Sequence, residues 1–359
     1  MKRKSLLLFV VMMMFASLST INAQEKKSLI GDYLSISGWM NIQYDYERQL
    51  QNDGITLDEI NTFNVRRARL DFKGNINKNL EFRVQADMAG SPKLVDGFVK
   101  IKLQKYFNIQ VGQFKIPFTF ENPQSPLTLE GVEYAQVISK LSGYSDMSGV
   151  KTYSGGRDVG VMIYGNFFSF ERNGKQIPIL TYKLGVFNGN GMNNKDANLA
   201  KDIAASIEVC PGVKGLMLAT SYYDGNYYLN ANEQNAIRDR LTFGGKYENG
   251  RLTVRSEYIT GKTEMLDKAD GVYTLDSDGF YVAGGYWFNM KSQKIRPVAR
   301  YDFLRQDIEN PEKNSTYYMV GIDWWPYNNL RLLVNYTVKD KPGCDNLGNL
   351  FQAQLSVKF

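Results

Sequence analysis

Histidine is absent from this sequence, and cysteine occurs only at Cys210 and Cys344. Without histidine the chain cannot build a Ser-His-Asp or Cys-His nucleophile or an HExxH zinc helix. The two cysteines are isolated, with no metal-ligand spacing around them. Catalysis by carboxylates alone survives these exclusions, but no pair of acids is marked out for it. No catalytic residue, metal or cofactor is therefore expected. Long apolar runs are also missing. The stretch 6–16 is well below the roughly 18 apolar residues that a membrane helix needs. It follows Lys2, Arg3 and Lys4 and leads to small residues ending in Asn22 and Ala23, the order of a secretory signal peptide over 1–23. The remainder, 24–359, reads as a single domain.

What the chain has in quantity is alternation. Over 62–118, Ala68, Leu70 and Phe72 fall on one side of an extended chain, and Arg67, Arg69, Asp71 and Lys73 on the other. Leu80, Phe82, Val84, Ala86 and Met88 then oppose Glu81, Arg83, Gln85 and Asp87. A soluble sandwich seldom carries charge at nearly every polar-face position over so many residues. A membrane barrel does, with its apolar side to lipid and its charged side to a wet lumen. The composition agrees: 13% aromatic, with 23 Tyr and 32 Gly. The formal charge of +6 falls to +3 once the three signal-peptide cations are removed. Eleven Lys or Arg and four Asp or Glu lie within 62–118, a local +7 that leaves the rest of the mature chain near −4.

Sixteen strands are predicted, near 33–47, 62–76, 79–89, 93–106, 107–118, 157–168, 178–187, 201–210, 214–223, 239–249, 251–262, 278–289, 294–305, 315–326, 328–339 and 348–359. Short turns alternate with longer polar loops at 48–61, 188–200, 224–238, 263–277 and 306–314. Outer-membrane barrels place the turns in the periplasm and the loops outside. The fold class is therefore all-β, a closed transmembrane antiparallel barrel, because a bilayer tolerates no unpaired edge. The segment 121–156 is exceptional in length and carries LTLEGVEYAQVISKL, with helix-compatible spacing. Long loops of this kind are commonly functional. By position it is the third external loop, and it is expected to fold into the pore and narrow it; a flap over the barrel mouth is the other reading. Its charged residues are Glu121, Glu130, Glu133, Lys140, Asp146 and Lys151, a formal −2.

Three weaker signals have plain explanations. Gly189 to Asn194 lacks the third glycine and the crossover helix of a dinucleotide site. Arg66 to Arg69 is split between faces by alternation, and export removes it from nucleic acid. Asp267, Asp270, Asp276 and Asp278 lack the EF-hand spacing and its closing Glu, and read as a solvated loop.

RRARLDFKGNINKNLEFRVQADMA, VGQFKIPFTFEN, KLGVFNGNGMNNKDAN, VGIDWWPYNNLRLLVNYT and the terminal FQAQLSVKF resemble the phosphate-selective porin O and P family over nearly the whole mature chain, in a Bacteroidetes-like member. The resemblance implies a sixteen-stranded outer-membrane porin of a Gram-negative cell, commonly a homotrimer, that passes small anions. It does not by itself imply phosphate.

The expected function is thus passive diffusion of small hydrophilic solutes with a modest anion preference; the alternative is a surface binding or adhesion barrel plugged by 121–156. Alternation assigns Arg67, Arg69, Lys73, Arg83, Lys100 and Lys102 to one basic pore wall, which Asp71, Glu81, Asp87 and Asp96 share. A ladder of salt bridges that merely stiffens the barrel is the competing role for this wall. Trp324, Trp325 and Tyr327 read as part of an aromatic girdle against outer-membrane lipid, with carbohydrate stacking as the other reading of the cluster. The final strand, ending in Phe359, is similar to the signal that barrel-assembly machinery recognises. Cys210, in a periplasmic turn, and Cys344, in an external loop, are expected at opposite barrel ends and unbonded.

Overall fold

A computed structural model of the chain describes residues 33–50, 57–142, 146–147, 156–172, 174–196, 198–229, 234–267, 271–290, 293–342 and 349–359. The signal-peptide reading, Cys344 and Lys151 lie outside the described residues. The unit Ile36–Phe359 is one sheet of eighteen segments in which every segment is antiparallel to its neighbours. These are β1 (Leu34–Leu50), β2 (Leu57–Asn77), β3 (Leu80–Asp87), β4 (Lys93–Gln104), β5 (Phe107–Lys115), β6 (Arg157–Arg172), β7 (Lys175–Phe187), β8 (Asp202–Val209), β9 (Leu216–Asp224), β10 (Asn226–Leu229), β11 (Gln234–Glu248), β12 (Leu252–Asp267), β13 (Gly271–Tyr286), β14 (Phe288–Met290), β15 (Gln293–Arg305), β16 (Asn314–Tyr327), β17 (Leu330–Asp340) and β18 (Leu350–Lys358). β10 continues β9 past Gly225, and β14 continues β13 past Trp287, so the segments make sixteen staves.

The last strand closes the sheet on the first, from Trp39 opposite Lys358 to Glu47 opposite Leu350. Among the described strands no barrel edge remains to be satisfied in hydrocarbon. The outer face is apolar by alternation: Tyr318, Val320 and Ile322 of β16 are about half exposed, whereas Met319 and Asp323, of the opposite parity, are buried. Ile203 and Ile207 repeat this on β8 against buried Asp202, Ala204 and Ser206.

Two expected loops are mostly strand. β12 runs to Asp267 and β13 begins at Gly271, while β10 and β11 occupy most of 224–238. These hairpins extend past the last clear alternation; a strand wetted on both faces has no reason to alternate. Asp278 is accordingly a strand residue, hydrogen-bonded by Arg305 Nε at 2.6 Å and by the Tyr258 hydroxyl at 2.9 Å. Among the described residues no cluster of carboxylates fit to hold a metal occurs. The predicted strand 107–118 ends at Lys115, and Ile116 and Phe118 belong to the loop that follows.

The inner face is not uniformly polar. Between β5 and β6 the chain crosses the lumen, with a 3-10 turn at Pro126–Thr128 and the helix α1 (Gln136–Leu141). Leu129, Ala135, Val137, Ile138 and Leu141 pack on Phe114, Phe187, Tyr281 and Leu304, which point inward from β5, β7, β13 and β15. Gly160 and Gly185 make room for the Phe187 ring, since a Cβ on either would stand 2.6 Å from it. A small hydrophobic core therefore sits inside the barrel. Phe114 and Phe118 of the motif VGQFKIPFTF belong to it rather than to the lipid face.

Candidate functional site: the narrowed lumen

The described part of the loop is fastened to the inner wall at several points. Lys115 Nζ donates to the carbonyls of Asn122 and Gln124, both at 2.6 Å, pinning the start. The Glu257 carboxylate accepts the backbone N–H groups of Phe120 and Glu121 at 2.7 and 3.1 Å. Glu130 is held between Arg255 and Arg296, with 3.0 Å to the latter. Arg331 Nη2 donates to the Leu129 carbonyl at 2.6 Å, and Arg331 and Arg296 share Asp323 at 2.7 Å each. At α1 the Gln136 N–H reaches Asp302 at 2.7 Å, and the Gln136 side chain bridges to Ser315. Arg66 of β2 meets Glu133 from the other side at 3.3 Å.

These clamps fix the charge of the loop. Glu121 and Glu130 are 1% exposed and lie against arginines of the barrel, and Asp146 lies 3.7 Å from Arg240. Their negative charge is balanced where it stands. Glu133, paired with Arg66, keeps a third of its side chain in solvent. Lys140 is half-buried in the last turn of α1. Arg255, Arg296, Arg331, Glu257 and Lys115 were not singled out from sequence. Four of them stand on strands far along the chain from the loop, and each looks alone like any inward polar residue.

The loop fills the lumen beside β5 to β15 and leaves open space beside the early strands. There, a cavity of about 320 Å³ is bounded by Trp39, the proline-rich start of the loop, and six basic side chains: Arg69, Arg83, Lys100, Lys115, Arg157 and Lys183. One carboxylate, Asp96, joins them. The cavity shares Pro123, Gln124, Ser125 and Lys183 with a wider vestibule of about 720 Å³ at the short-turn end, where six basic residues meet four acids. At the long-loop end a third space, of about 630 Å³, has Arg66 and Lys93 against Asp45, Glu47 and Glu133. Formal charge is thus −1 at one mouth, +5 at the narrow part and +2 at the other mouth.

Of the residues expected in a basic wall, Arg69, Arg83 and Lys100 face the 320 Å³ cavity. All but Arg67 are also laddered to acids: Arg69 to Asp87 at 3.2 Å, Lys73 to Asp71 at 3.0 Å, Arg83 to Asp71 and Asp96 at 2.8 and 3.1 Å. Lys100 and Lys102 share Glu81 at 3.7 and 2.7 Å. Arg67 is buried and off the cavity lining. The wall and the ladder are therefore one object, held in position by its acids yet in cationic excess. Trp325 departs from the expected girdle. It faces the vestibule, because neighbouring residues of a strand point to opposite faces and Trp324 shares the parity of exposed Val320 and Ile322. Tyr327 is 64% exposed at the rim. Aromatic rings missed from sequence, Tyr106, Phe167 and Tyr182, stack on one another at the same end.

The family model for phosphate-selective porin O and P matches residues 39–261. Among curated proteins, none matches. The anion-selective porin from Comamonas acidovorans is similar in structure at 10% identity and TM-score 0.65, over 91% of this chain and 99% of that one. OprB of Pseudomonas putida, at high pH, gives 12% identity and TM-score 0.63 over 92% and 95%. The in-vitro folded OmpT of Vibrio cholerae, in trimer form, gives 13% and 0.57 over 91% and 100%. At these identities the likeness speaks for the fold. The family match covers more than half of the chain, and with the closed sixteen-stave barrel it makes this protein an outer-membrane porin belonging to the phosphate-selective porin O and P family.

Proposed function

We propose that small hydrophilic solutes diffuse passively through the space between the loop and the early strands, and that anions are preferred over cations. The observation that carries this reading is the lining of the 320 Å³ cavity, six basic side chains against one carboxylate. The Comamonas porin's anion selectivity agrees with it. The preference is limited by the acid partners that most of these cations already have, and it weakens with salt because mobile ions screen the rest, over roughly 8 Å at physiological ionic strength. Arg69, Arg83 and Lys100 act at the constriction, Lys73 and Lys102 steer at its edge, and Arg67 supports the wall from behind. The loop 121–156 is the constriction element. Passage needs no turnover, cofactor or covalent step, and the chain is proposed to act as a channel and not as an enzyme.

The trimeric form of the Vibrio relative supports a homotrimer. Contact with outer-membrane lipid, a girdle role for Trp324 and Tyr327, and recognition of the Phe359 strand by assembly machinery belong to the same reading. Phe359 supports it by exchanging backbone hydrogen bonds with Gly38, at 2.9 and 3.0 Å, where the barrel closes. Reversal potential across a KCl gradient in planar bilayers tests the function. Anion selectivity is expected; cation selectivity, or a folded barrel that does not conduct, would refute it and return the plugged adhesion barrel to consideration.

A further inference from the structure

Three of the four tryptophans point into the lumen, and each lies under a cation. Arg296 stands 4.5 Å above the Trp287 ring, Lys358 4.1 Å and Arg331 5.8 Å from Trp325, and Arg69 5.1 Å from Trp39. They are neighbours around the wall: Trp39 is directly opposite Lys358 across β1 and β18, and Trp325 directly opposite Lys294 across β16 and β15. Rings and cations therefore alternate along an arc from the vestibule to the edge of the constriction. Arg69, Arg296 and Arg331 spend their charge on Asp87, Asp323 and Glu130. Lys294 and Lys358 line the vestibule without an ion-pair partner among the described residues.

We propose that this arc is a subsite for a pyranose ring bearing a phosphate or carboxylate. An indole face packs against the C–H face of a sugar, as amphipathic aromatic surfaces do against ligands with one apolar side. Lys294 and Lys358, which have no ion-pair partner among the described residues, take the anionic group. Gln124, Ser125, Thr128 and Asn328, on the same cavity wall, supply donors and acceptors for hydroxyls. The inference rests on the anion-conducting reading above and names a class of solute for it.

Single-channel recording of the full protein tests this, with glucose 6-phosphate, glucose or inorganic phosphate added at the vestibule side in KCl. Glucose 6-phosphate should interrupt the current at concentrations about tenfold below either alone, one cation–ring or stacking contact's worth of affinity. Trp325→Leu, and Lys294→Gln with Lys358→Gln, should each raise its half-blocking concentration by about the same factor. Equal block by inorganic phosphate would show that the rings are idle, and block by benzoate but not glucose 6-phosphate would show an aromatic-anion site; either overturns the proposal. Should a variant not fold, wild-type tryptophan fluorescence decides: a saturable change with glucose 6-phosphate, absent with glucose and phosphate, is expected, and no change refutes it. An anion-selective channel that ignores glucose 6-phosphate would sink this inference alone, whereas a silent channel would sink the function beneath it.

Discussion

Changing Arg69, Arg83 and Lys100 together to Gln should abolish ion selectivity. The ladder and cavity lining of the early strands hold seven cations, Arg69, Lys73, Arg83, Lys100, Lys102, Lys115 and Arg157, and four acids, Asp71, Glu81, Asp87 and Asp96. Seven less four leaves three positive charges. For an ion about 6 Å from each, Coulomb's law in water with a Debye length of about 8 Å gives about 0.3 kcal/mol per charge, hence about 1 kcal/mol in all. The sign reverses for a cation, so the anion-to-cation ratio is about 30 at physiological salt. At 1 M, where the Debye length is about 3 Å, the same sum gives about 3. The triple variant brings the count to zero and the ratio to about 1 at both salts, by the same arithmetic. Glutamine keeps hydrogen-bonding groups beside Asp71, Glu81, Asp87 and Asp96, so the wall should still fold, and heat-modifiable migration of the barrel checks that. Reversal potentials for wild type and variant, at both ionic strengths, give the ratios. A wild-type ratio that does not fall with salt, or a folded triple variant as selective as wild type, would refute the reasoning.

Other expectations follow from the loop and the cysteines. Glu130→Gln leaves Arg255 without its nearest carboxylate partner and costs Arg296 one of two, a loss of about 3 kcal/mol for a broken buried pair; noisier, larger single-channel currents should report the loosened loop, and steady wild-type currents would count against the clamp. Ile138→Ala, fully buried in α1, should lower stability by about 2 to 4 kcal/mol, read from the urea midpoint of barrel unfolding, while an equal midpoint would show that the internal core does not hold the loop. Deleting 129–141 should raise conductance at least about twofold by removing the element that fills the lumen, and unchanged conductance in a folded barrel would place the loop's effect elsewhere. Cys210, half-buried in a turn at the short-turn end, has its thiol pushed up by burial and so stays protonated at neutral pH; non-reducing and reducing gels of the purified protein should match, and a bond to Cys344 would contradict the strand directions.

The barrel was legible because lipid imposes a period of two on residues such as Leu184 and Val186, which stay exposed while Phe187 turns in. What sequence hid follows from the loop. Phe114, Tyr281 and Leu304 face inward although they are apolar, because their partner is α1 and not water. Alternation assigns a side chain to a face without saying what covers that face. Arg255, Arg296 and Arg331 were invisible as a set for a related reason: each matches its own strand, and only the loop's path brings them to Glu130 and Leu129. Trp325 was misplaced because a dense aromatic run suggests a rim, while adjacent residues must separate to opposite faces. The early ladder was the most readable part of the site, since Arg69, Arg83 and Lys100 and their acids stand on consecutive hairpins.

The clamps on the loop have a consequence for the time order of assembly. Its partners Arg255, Arg296, Asp302 and Arg331 lie more than a hundred residues later in the chain, and Trp39 waits for Lys358 to close the wall. Pairings across such sequence distances form late and slowly. The narrow passage is therefore not inherited from the first half of the chain, where its cations reside. It is completed at the final step, when the nascent cylinder shuts and the distant clamps reach a segment that Lys115 alone anchors from nearby.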